Sequence, residues 1–196
     1  MPSLKHQGVF SEVYDFDQSS GSYIVEIALD HYSDIFNEWD PAPFKLRDLD
    51  PDLIFYLEES SDDIPFRYPL TLCFSIPEGK REEQREKQVK RGLHNGFTYE
   101  RYLAKKELKN TNQRIFLFIL AGFLFLLAAT TYPQELEIGI FPTIIVEGLY
   151  VGGWVFLWEA ISMLVFTTRD LYHKFRTYKR LQNSTVIFKE VVYEDL

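Results

Sequence analysis

The sequence predicts a membrane protein with two transmembrane helices in an α-helical hairpin and a small cytoplasmic α+β domain built on an α/β sheet. Three observations predict this fold class. Residues 115–132 are apolar and uncharged, residues 142–168 are apolar except for Glu147 and Glu159, and the flanking chain alternates strand and helix patterns. A helix needs about 20 mostly apolar residues to cross the hydrocarbon of a bilayer. We therefore expect two crossings.

The composition changes along the chain and divides it into segments. Residues 1–78 hold 16 acidic and 4 basic side chains, and residues 79–114 hold 5 and 11. The predicted segments are an N-terminal extension (1–21), a cytoplasmic α/β domain (22–78), a basic helical stalk (79–114), transmembrane helix 1 (115–132), an external loop (133–141), transmembrane helix 2 (142–168), and a cytoplasmic helix with a C-terminal strand (169–196).

The cytoplasmic domain is predicted from two periodicities. Residues 22–29 and 70–76 alternate as half-buried strands do. Between them, Asp50 can cap a helix that begins with Pro51, and apolar residues at helical spacing carry it to residue 61. These segments predict two strands with an intervening helix.

A long helix is predicted to begin at Glu82 and run directly into the first span. Its opposite charges recur at spacings of three and four, and Gly92 and Gly96 are expected to loosen it. After the second span, residues 169–181 continue as helix. The β-branched residues 184–193 predict a last strand that completes the sheet.

The flanking cations predict the orientation of the hairpin, because Lys and Arg close to a span resist translocation. The connection of residues 133–142 contains neither, so it is expected outside, with both termini in the cytoplasm. The stalk cations either set this topology or also face anionic headgroups. The cations of both flanks are Arg101, Lys105, Lys106, Lys109, Arg114, Arg169, Lys174, Arg176, Lys179 and Arg180.

The second span carries a candidate packing seam. Gly148 and Gly152 form a GxxxG motif that permits close approach of helices, and Glu159 falls on the same face at 100° per residue. Glu159 is deep, whereas Glu147 is near the outer boundary. The seam joins the two helices of one hairpin, joins copies in an oligomer, or presents an intramembrane acid to an ion or proton path.

Several site classes are not supported by the sequence. Asp48, Asp50, Asp52 and Glu59 have the spacing of a calcium loop, but the turn position is Leu53 rather than Gly, and a helix is predicted to begin inside this segment. The single cysteine, Cys73, lies in an apolar run and is expected to be a buried thiol. The four histidines do not cluster at ligand spacing. We therefore predict no metal and no cofactor.

Catalytic and nucleic-acid motifs are also missing from the sequence. It has no Gly-rich phosphate loop, no G-x-S-x-G and no HExxH motif. The basic stalk belongs to an acidic chain of net charge −8, which disfavours nucleic-acid binding. The first residues lack the basic and apolar regions of a signal peptide, so we expect none to be cleaved.

Three parts of the chain carry a family resemblance. WDPAPFKLRDLDPDLIFYLEESSDD, EGLYVGGWVFLWEAISMLVF and the closing basic helix and strand resemble uncharacterised bacterial proteins with a cytoplasmic domain and two membrane helices. The resemblance covers most of residues 22–193. It implies a location in the bacterial inner membrane and no catalytic residues. A basic residue often occupies, in that family, the position of Glu159.

The leading functional hypothesis is a non-enzymatic membrane protein. Its cytoplasmic domain binds or senses an unknown ligand or partner and transmits the binding signal through the stalk to an oligomeric two-helix unit. That unit contacts the lipid bilayer, and it also contacts either its own copies or a partner membrane protein. The alternative is a channel or transporter subunit in which Glu159 lines the path. A second alternative is a membrane-anchored enzyme, for which no residue is nominated.

Overall fold

The computed structural model describes residues 13–132 and 139–192. By the contacts between residues, the chain forms two compact units. The sheet unit comprises residues up to 102 and from 176 onward, and the helix-pair unit comprises residues 103–175. The helix-pair unit is thus inserted, in chain order, into the sheet unit.

The sheet has four strands in the order β1-β2-β3-β4. Strand β1 is antiparallel to β2, and β3 lies between β2 and β4, parallel to both. The strands are β1 (Asp15–Asp17), β2 (Ser22–Ala28), β3 (Leu70–Pro77) and β4 (Thr185–Val191). Predicted strands 22–29 and 70–76 are therefore confirmed. So is the C-terminal strand, which completes the sheet as predicted; Tyr193 of that prediction lies outside the described residues.

Strand β3 brings apolar residues of β2 and β4 into continuous rows across the sheet. Val25, Leu72 and Val186 stand side by side on one face, and Ile27, Phe74 and Phe188 form the next row. The Phe74 and Phe188 rings stack with centroids 5.5 Å apart. Strand β3 is buried on both faces along nearly its whole length, so the half-buried character predicted from its alternation is wrong. A strand between two parallel neighbours is usually covered on both faces.

Strand β1 was not predicted from the sequence, which assigned residues 1–21 to an extension. Three residues are too few to produce a periodic signal. The turn that joins β1 to β2 is fixed by Asp17, whose carboxylate accepts hydrogen bonds from the Ser19 amide and hydroxyl and from the Ser20 hydroxyl. Gly21 closes the turn at φ +66°, a conformation that favours glycine.

Acid should weaken this turn. Hydrogen bonds from Ser20 and Ser19 lower the pKa of Asp17 to about 2. A carboxylate with a lowered folded-state pKa stabilises the fold fully above its unfolded pKa of about 3.9, and this contribution is lost as pH falls through about 2. We expect amide hydrogen exchange in the turn to accelerate over that range in the wild type. An Asp17→Asn variant with the same acceleration would contradict the assignment.

Helix α1 (Pro51–Asp63) begins as predicted and ends two residues later. The Asp50 carboxylate accepts hydrogen bonds from the amides of Asp52 and Leu53, so its predicted capping role is confirmed. The helix start also removes the turn that a calcium loop would need.

Helix α2 (Glu83–Thr131) is a single helix of 49 residues. The predicted continuity with the first apolar stretch is confirmed, but the loosening at Gly92 and Gly96 is wrong. Both glycines lie within regular helix, and close packing explains why glycine occupies these positions. A Cβ atom at Gly92 would lie 2.5 Å from the Phe44 carbonyl oxygen, and one at Gly96 would lie 2.6 Å from Leu49.

The second apolar stretch forms helix α3 (Ile140–Ser162), a π-helical segment (Met163–Thr167) and helix α4 (Thr168–Gln182) without interruption. By length and composition, α2 and the α3–α4 stretch are each able to span a membrane. The prediction of two long apolar helices and a small mixed sheet is thus confirmed.

Candidate functional site

The helix-pair unit packs along a line of small and apolar residues spaced seven apart. In the apolar part of α2, from residue 115 on, the buried positions are Ile115, Gly122 and Ala129, and on α3 they are Val146, Gly153 and Ala160. A seven-residue repeat keeps one face of a helix toward its partner with a left-handed crossing. The repeat therefore defines the face on which α2 and α3 meet.

Two glycines bring the helix backbones together in the middle of this face. A Cβ atom at Gly122 would lie 3.0 Å from the Gly153 carbonyl oxygen, and one at Gly153 would lie 3.1 Å from that of Gly122. Phe156 packs beside them, with its ring centroid 5.9 Å from that of Phe118 and 5.2 Å from that of Phe125. Close backbone approach through glycine is typical of membrane helix pairs.

The three residues of the predicted seam lie in different environments. Gly152 faces α2, since a Cβ there would lie 2.9 Å from the Phe125 ring. Gly148 is exposed and has open space at its Cβ position. Glu159 is exposed as well, and it has no hydrogen bond or ion pair within the described part of the chain. Within the pair, contact is thus made by Gly122, Gly152 and Gly153.

The other acid of the second span, Glu147, is also exposed. Both carboxylates are exposed, so neither is buried against α2. An ionised side chain near the bilayer centre costs at least about 2.5 kcal/mol unless it meets protein or water. The exposed position of Glu159 is therefore a feature that the isolated pair leaves unexplained.

The π-helical segment follows the last buried position of the second helix, Ala160. Thr168 and Phe175 beyond it are half-buried and lie eight and then seven residues further along the chain. The wide turn inserts the extra residue. The Thr168 hydroxyl donates to the Met163 carbonyl oxygen at 3.2 Å across this turn.

Alanine substitutions should distinguish the packed Gly153 of α3 from the exposed Gly148. In Gly153→Ala the new Cβ meets the Leu126 side chain at 2.7 Å and a backbone oxygen at 3.1 Å. We expect a loss of about 1–3 kcal/mol, as for an overpacked core. Gly148→Ala meets nothing and should be neutral or slightly stabilising. Thermal denaturation in detergent compares the two, and equal effects would contradict the packing.

The predicted flanking cations fall into two groups. Eight are exposed: Lys105, Lys106, Lys109, Arg114, Arg169, Lys174, Arg176 and Lys179. Lys105 and Lys109 line a shallow depression on α2 together with apolar Leu108, Phe116 and Leu117. Arg101 and Arg180 are half-buried. The first group is accessible to solvent, and one of its members, Arg176, also lies over the Phe66 ring at 4.6 Å. Arg180 is engaged by the protein.

Arg180 binds a cluster of backbone carbonyls at the end of α1. Its guanidinium donates to the oxygens of Ser61 at 2.7 Å, Ile64 at 2.8 Å and Tyr68 at 2.7 Å. A helix C-terminus attracts cations because its last carbonyls have no intrahelical partner. Burial lowers the pKa of Arg180 to about 10, so the guanidinium is charged at neutral pH.

A second buried polar contact joins α4 to the other two helices of the sheet unit. The Tyr178 side chain, 2% exposed, lies beside the carboxyl groups of Glu58 on α1 and Glu100 on α2, which are the acceptors available to its single O–H. Burial and these carboxylates raise the pKa of the phenol. One turn later, the Gln182 amide donates to the Thr98 hydroxyl at 2.8 Å. The end of α4 is thereby fixed to α1 and α2.

Metal and thiol chemistry gain no support from the arrangement. No group of three or more His, Cys, Asp or Glu side chains able to hold a metal occurs within residues 13–132 and 139–192. Cys73 is a buried free thiol whose pKa is raised by burial. This matches its expected structural character.

No protein-family model, curated protein or solved structure matches this chain. The resemblance to bacterial two-helix membrane proteins therefore stays a prediction. Function has to be argued from the residues described above.

Proposed function

We propose that the chain is a multi-pass protein of the bacterial inner membrane, with α2 and α3 crossing as a hairpin and both termini in the cytoplasm. The supporting observation is the pairing of β3 with β4. One strand precedes both long apolar helices and the other follows them. Two strands of one sheet must lie on the same side of a membrane, so the chain between them crosses an even number of times.

The distribution of cations supports the cytoplasmic side for the sheet unit. Eight exposed Lys and Arg residues flank the two apolar stretches at the ends from which the chain continues into the sheet unit, and residues 133–142 contain no Lys or Arg. Positive charge is retained on the cytoplasmic side during insertion. The acidic sheet unit does not oppose this orientation, because acidic residues contribute little to it.

In this proposal the sheet unit binds a partner or ligand and passes the effect to the membrane through α2. Helix α2 runs without a break from Glu83 to Thr131. Its first turns pack against Phe44 and Leu49 at Gly92 and Gly96, where no side chain intervenes. A rigid helix that is packed this closely transmits a displacement of the sheet unit instead of absorbing it. The activity is therefore non-enzymatic coupling.

The membrane unit is proposed to work as an oligomer. Gly148 and Glu159 are both exposed on α3 and fall within about 20° of each other around the helix. A neighbouring copy would provide close backbone contact at Gly148 and remove Glu159 from lipid. Oligomerisation thus accounts for both exposed residues at once.

Cysteine chemistry tests this function in two steps, both in a Cys73→Ser background. Lys179→Cys should be labelled by a membrane-impermeant maleimide only in inverted vesicles, and Glu137→Cys only in right-side-out vesicles. Labelling of both from one side would overturn the hairpin. Oxidation of Gly148→Cys should give a dimer, whereas Gly153→Cys, on the internal face, should not. Only monomer from both would overturn the oligomer.

The exposed Glu159 supports a second candidate, a channel or transporter subunit whose copies enclose a path lined by this acid. Two helices cannot enclose a path alone, so the candidate also needs the oligomer. Proteoliposomes with wild type and Glu159→Gln would be compared in a proton- and cation-flux assay. Flux that depends on Glu159 supports a conducting subunit, and equal zero flux removes it.

A further inference from the structure

The loop of residues 36–49, here the Trp39 loop, is ordered without regular secondary structure. Its ends are joined by an isolated bridge between Phe36 and Leu49, and the Asn37 amide donates to the Asp48 carbonyl oxygen at 2.9 Å. Compact loops whose ends lie together and whose interior is filled by their own side chains are frequently functional. The Trp39 loop has this form.

Hydrogen bonds inside the Trp39 loop brace it. The Asp40 carboxylate accepts from the amides of Ala42 at 2.9 Å and Asp48 at 2.8 Å, and the Arg47 side chain donates to the Ala42 carbonyl oxygen at 2.9 Å. The Phe44 ring stacks on Phe36 with centroids 5.1 Å apart. The backbone amide bonds lower the pKa of Asp40, which keeps the carboxylate charged.

The braced loop presents two large apolar side chains to solvent. Trp39 is 92% exposed and Leu46 is 66% exposed. Single exposed apolar residues are common on protein surfaces. A tryptophan on a pre-ordered loop is better suited to binding than such residues are. It offers a large contact area, and little backbone freedom remains to be lost on binding. Such a side chain is suited to fill a pocket of another molecule.

Charge selects the class of molecule. Trp39 stands between Glu38, which is exposed, and the charged Asp40. Of the two cations in the loop, Arg47 is held by the Ala42 carbonyl oxygen and Lys45 is exposed beside Leu46, so the charges adjacent to the ring in the chain are acidic. An anionic membrane surface would repel this pair. A second copy related by a two-fold axis would place the same acids opposite one another. An apolar pocket with Lys or Arg on its rim would complement both the ring and its flanking charges.

We propose that the Trp39 loop is the docking element for a separate protein that presents an apolar pocket with a basic rim. The loop is attached to α2, because the Asn95 side chain donates to the Lys45 carbonyl oxygen at 2.8 Å and Gly92 packs against Phe44. The effect of docking rests on the proposed function, in which α2 couples the sheet unit to the membrane. A partner bound at the Trp39 loop would then act on the helix that enters the first apolar stretch.

Photo-crosslinking in the intact protein tests the docking. A benzophenone amino acid is placed at Leu46 in the full chain, in cells that express it natively, and the matched control carries the probe at exposed Phe55 on α1. We expect one discrete adduct from position 46 and none of that mass from position 55. Trp39→Ala and Glu38→Lys should each reduce the adduct at least tenfold, with unchanged melting temperatures.

Four results would overturn the proposal. They are no adduct specific to position 46, an adduct of twice the mass of the chain, an adduct with lipid, and an adduct of undiminished yield in Trp39→Ala. The maleimide labelling of Lys179→Cys and Glu137→Cys is scored in the same cells. Failure of docking with correct labelling is thereby distinguished from failure of the membrane hairpin itself.

Discussion

Arg180→Met should lower the free energy of unfolding by about 3–5 kcal/mol, because it removes a charged donor that is shared by several backbone carbonyl oxygens at and after the end of α1. The Ser61, Ile64 and Tyr68 carbonyls each lie within 2.8 Å of the guanidinium. Hydrogen bonds to charged groups contribute about 1.5–3 kcal/mol each. Methionine keeps the length and apolar stem of the side chain, so the loss reports these bonds.

Thermal and denaturant unfolding of the full chain in detergent measures this effect. Lys179→Met is the matched control, because its side chain is exposed next to Arg180 and should change the free energy by less than about 0.5 kcal/mol. Arg180→Lys should fall between the two, since an ammonium group cannot reach all of the carbonyls in one plane. Equal stability of Arg180→Met and Lys179→Met would contradict the proposed role of the guanidinium.

Gly92→Ala should destabilise the protein by about 1–3 kcal/mol even though alanine favours helix by about 1 kcal/mol over glycine. The new Cβ would lie 2.5 Å from the Phe44 carbonyl oxygen and 2.7 Å from the Phe36 ring. A backbone oxygen cannot rotate away as a side chain does. The Trp39 loop would have to move away from α2.

Gly96→Ala is the control for this prediction. Its Cβ would lie 2.6 Å from the Leu49 side chain, and its three nearest neighbours are all side-chain atoms of Leu49. Leu49 has rotamers available, so the loss should be smaller than in Gly92→Ala. The two variants are compared by their melting temperatures. A Gly92→Ala protein that is more stable than wild type would show that the close contact is not present.

The regular elements of the fold were predictable because each leaves a periodic signal. Strands β2 and β3 alternate, α1 has its cap at Asp50, and the long apolar runs exceed what a small core needs. Strand β1 was missed because three residues have no period. The Trp39 loop was not foreseen either, since its order depends on contacts such as that of Lys45 with Asn95, 50 residues away.

The candidate site was only partly predictable. Intramembrane acids and a GxxxG motif are visible in a sequence, but which glycine faces a partner depends on the phase of packing. The seven-residue spacing of Ile115, Gly122 and Ala129 is present in the sequence and is the signal that could have indicated the packing face of α2. Arg180 was grouped with the flanking cations because sequence gives no measure of burial. Its carbonyl partners lie more than 100 residues earlier in the chain.

The hairpin rests on one pairing, in which the strand that follows both long apolar helices, β4, lies beside a strand that precedes them, β3. Cys73 on β3 is in register with Ile187 on β4. Neighbouring strands lie about 4.8 Å apart, within the Cα separation that a disulfide spans. The most direct test is oxidation of Ile187→Cys in membranes, with a protease site inserted between residues 133 and 138.

The expected result is two fragments that stay joined without reductant and separate with it. Cleavage should occur only when the protease is added on the outer side. Val186→Cys, whose side chain points to the opposite face of the sheet beside Leu72, should not hold the fragments together. Fragments of Ile187→Cys that separate without reductant, as in a Cys73→Ser control, would contradict the pairing and with it the hairpin.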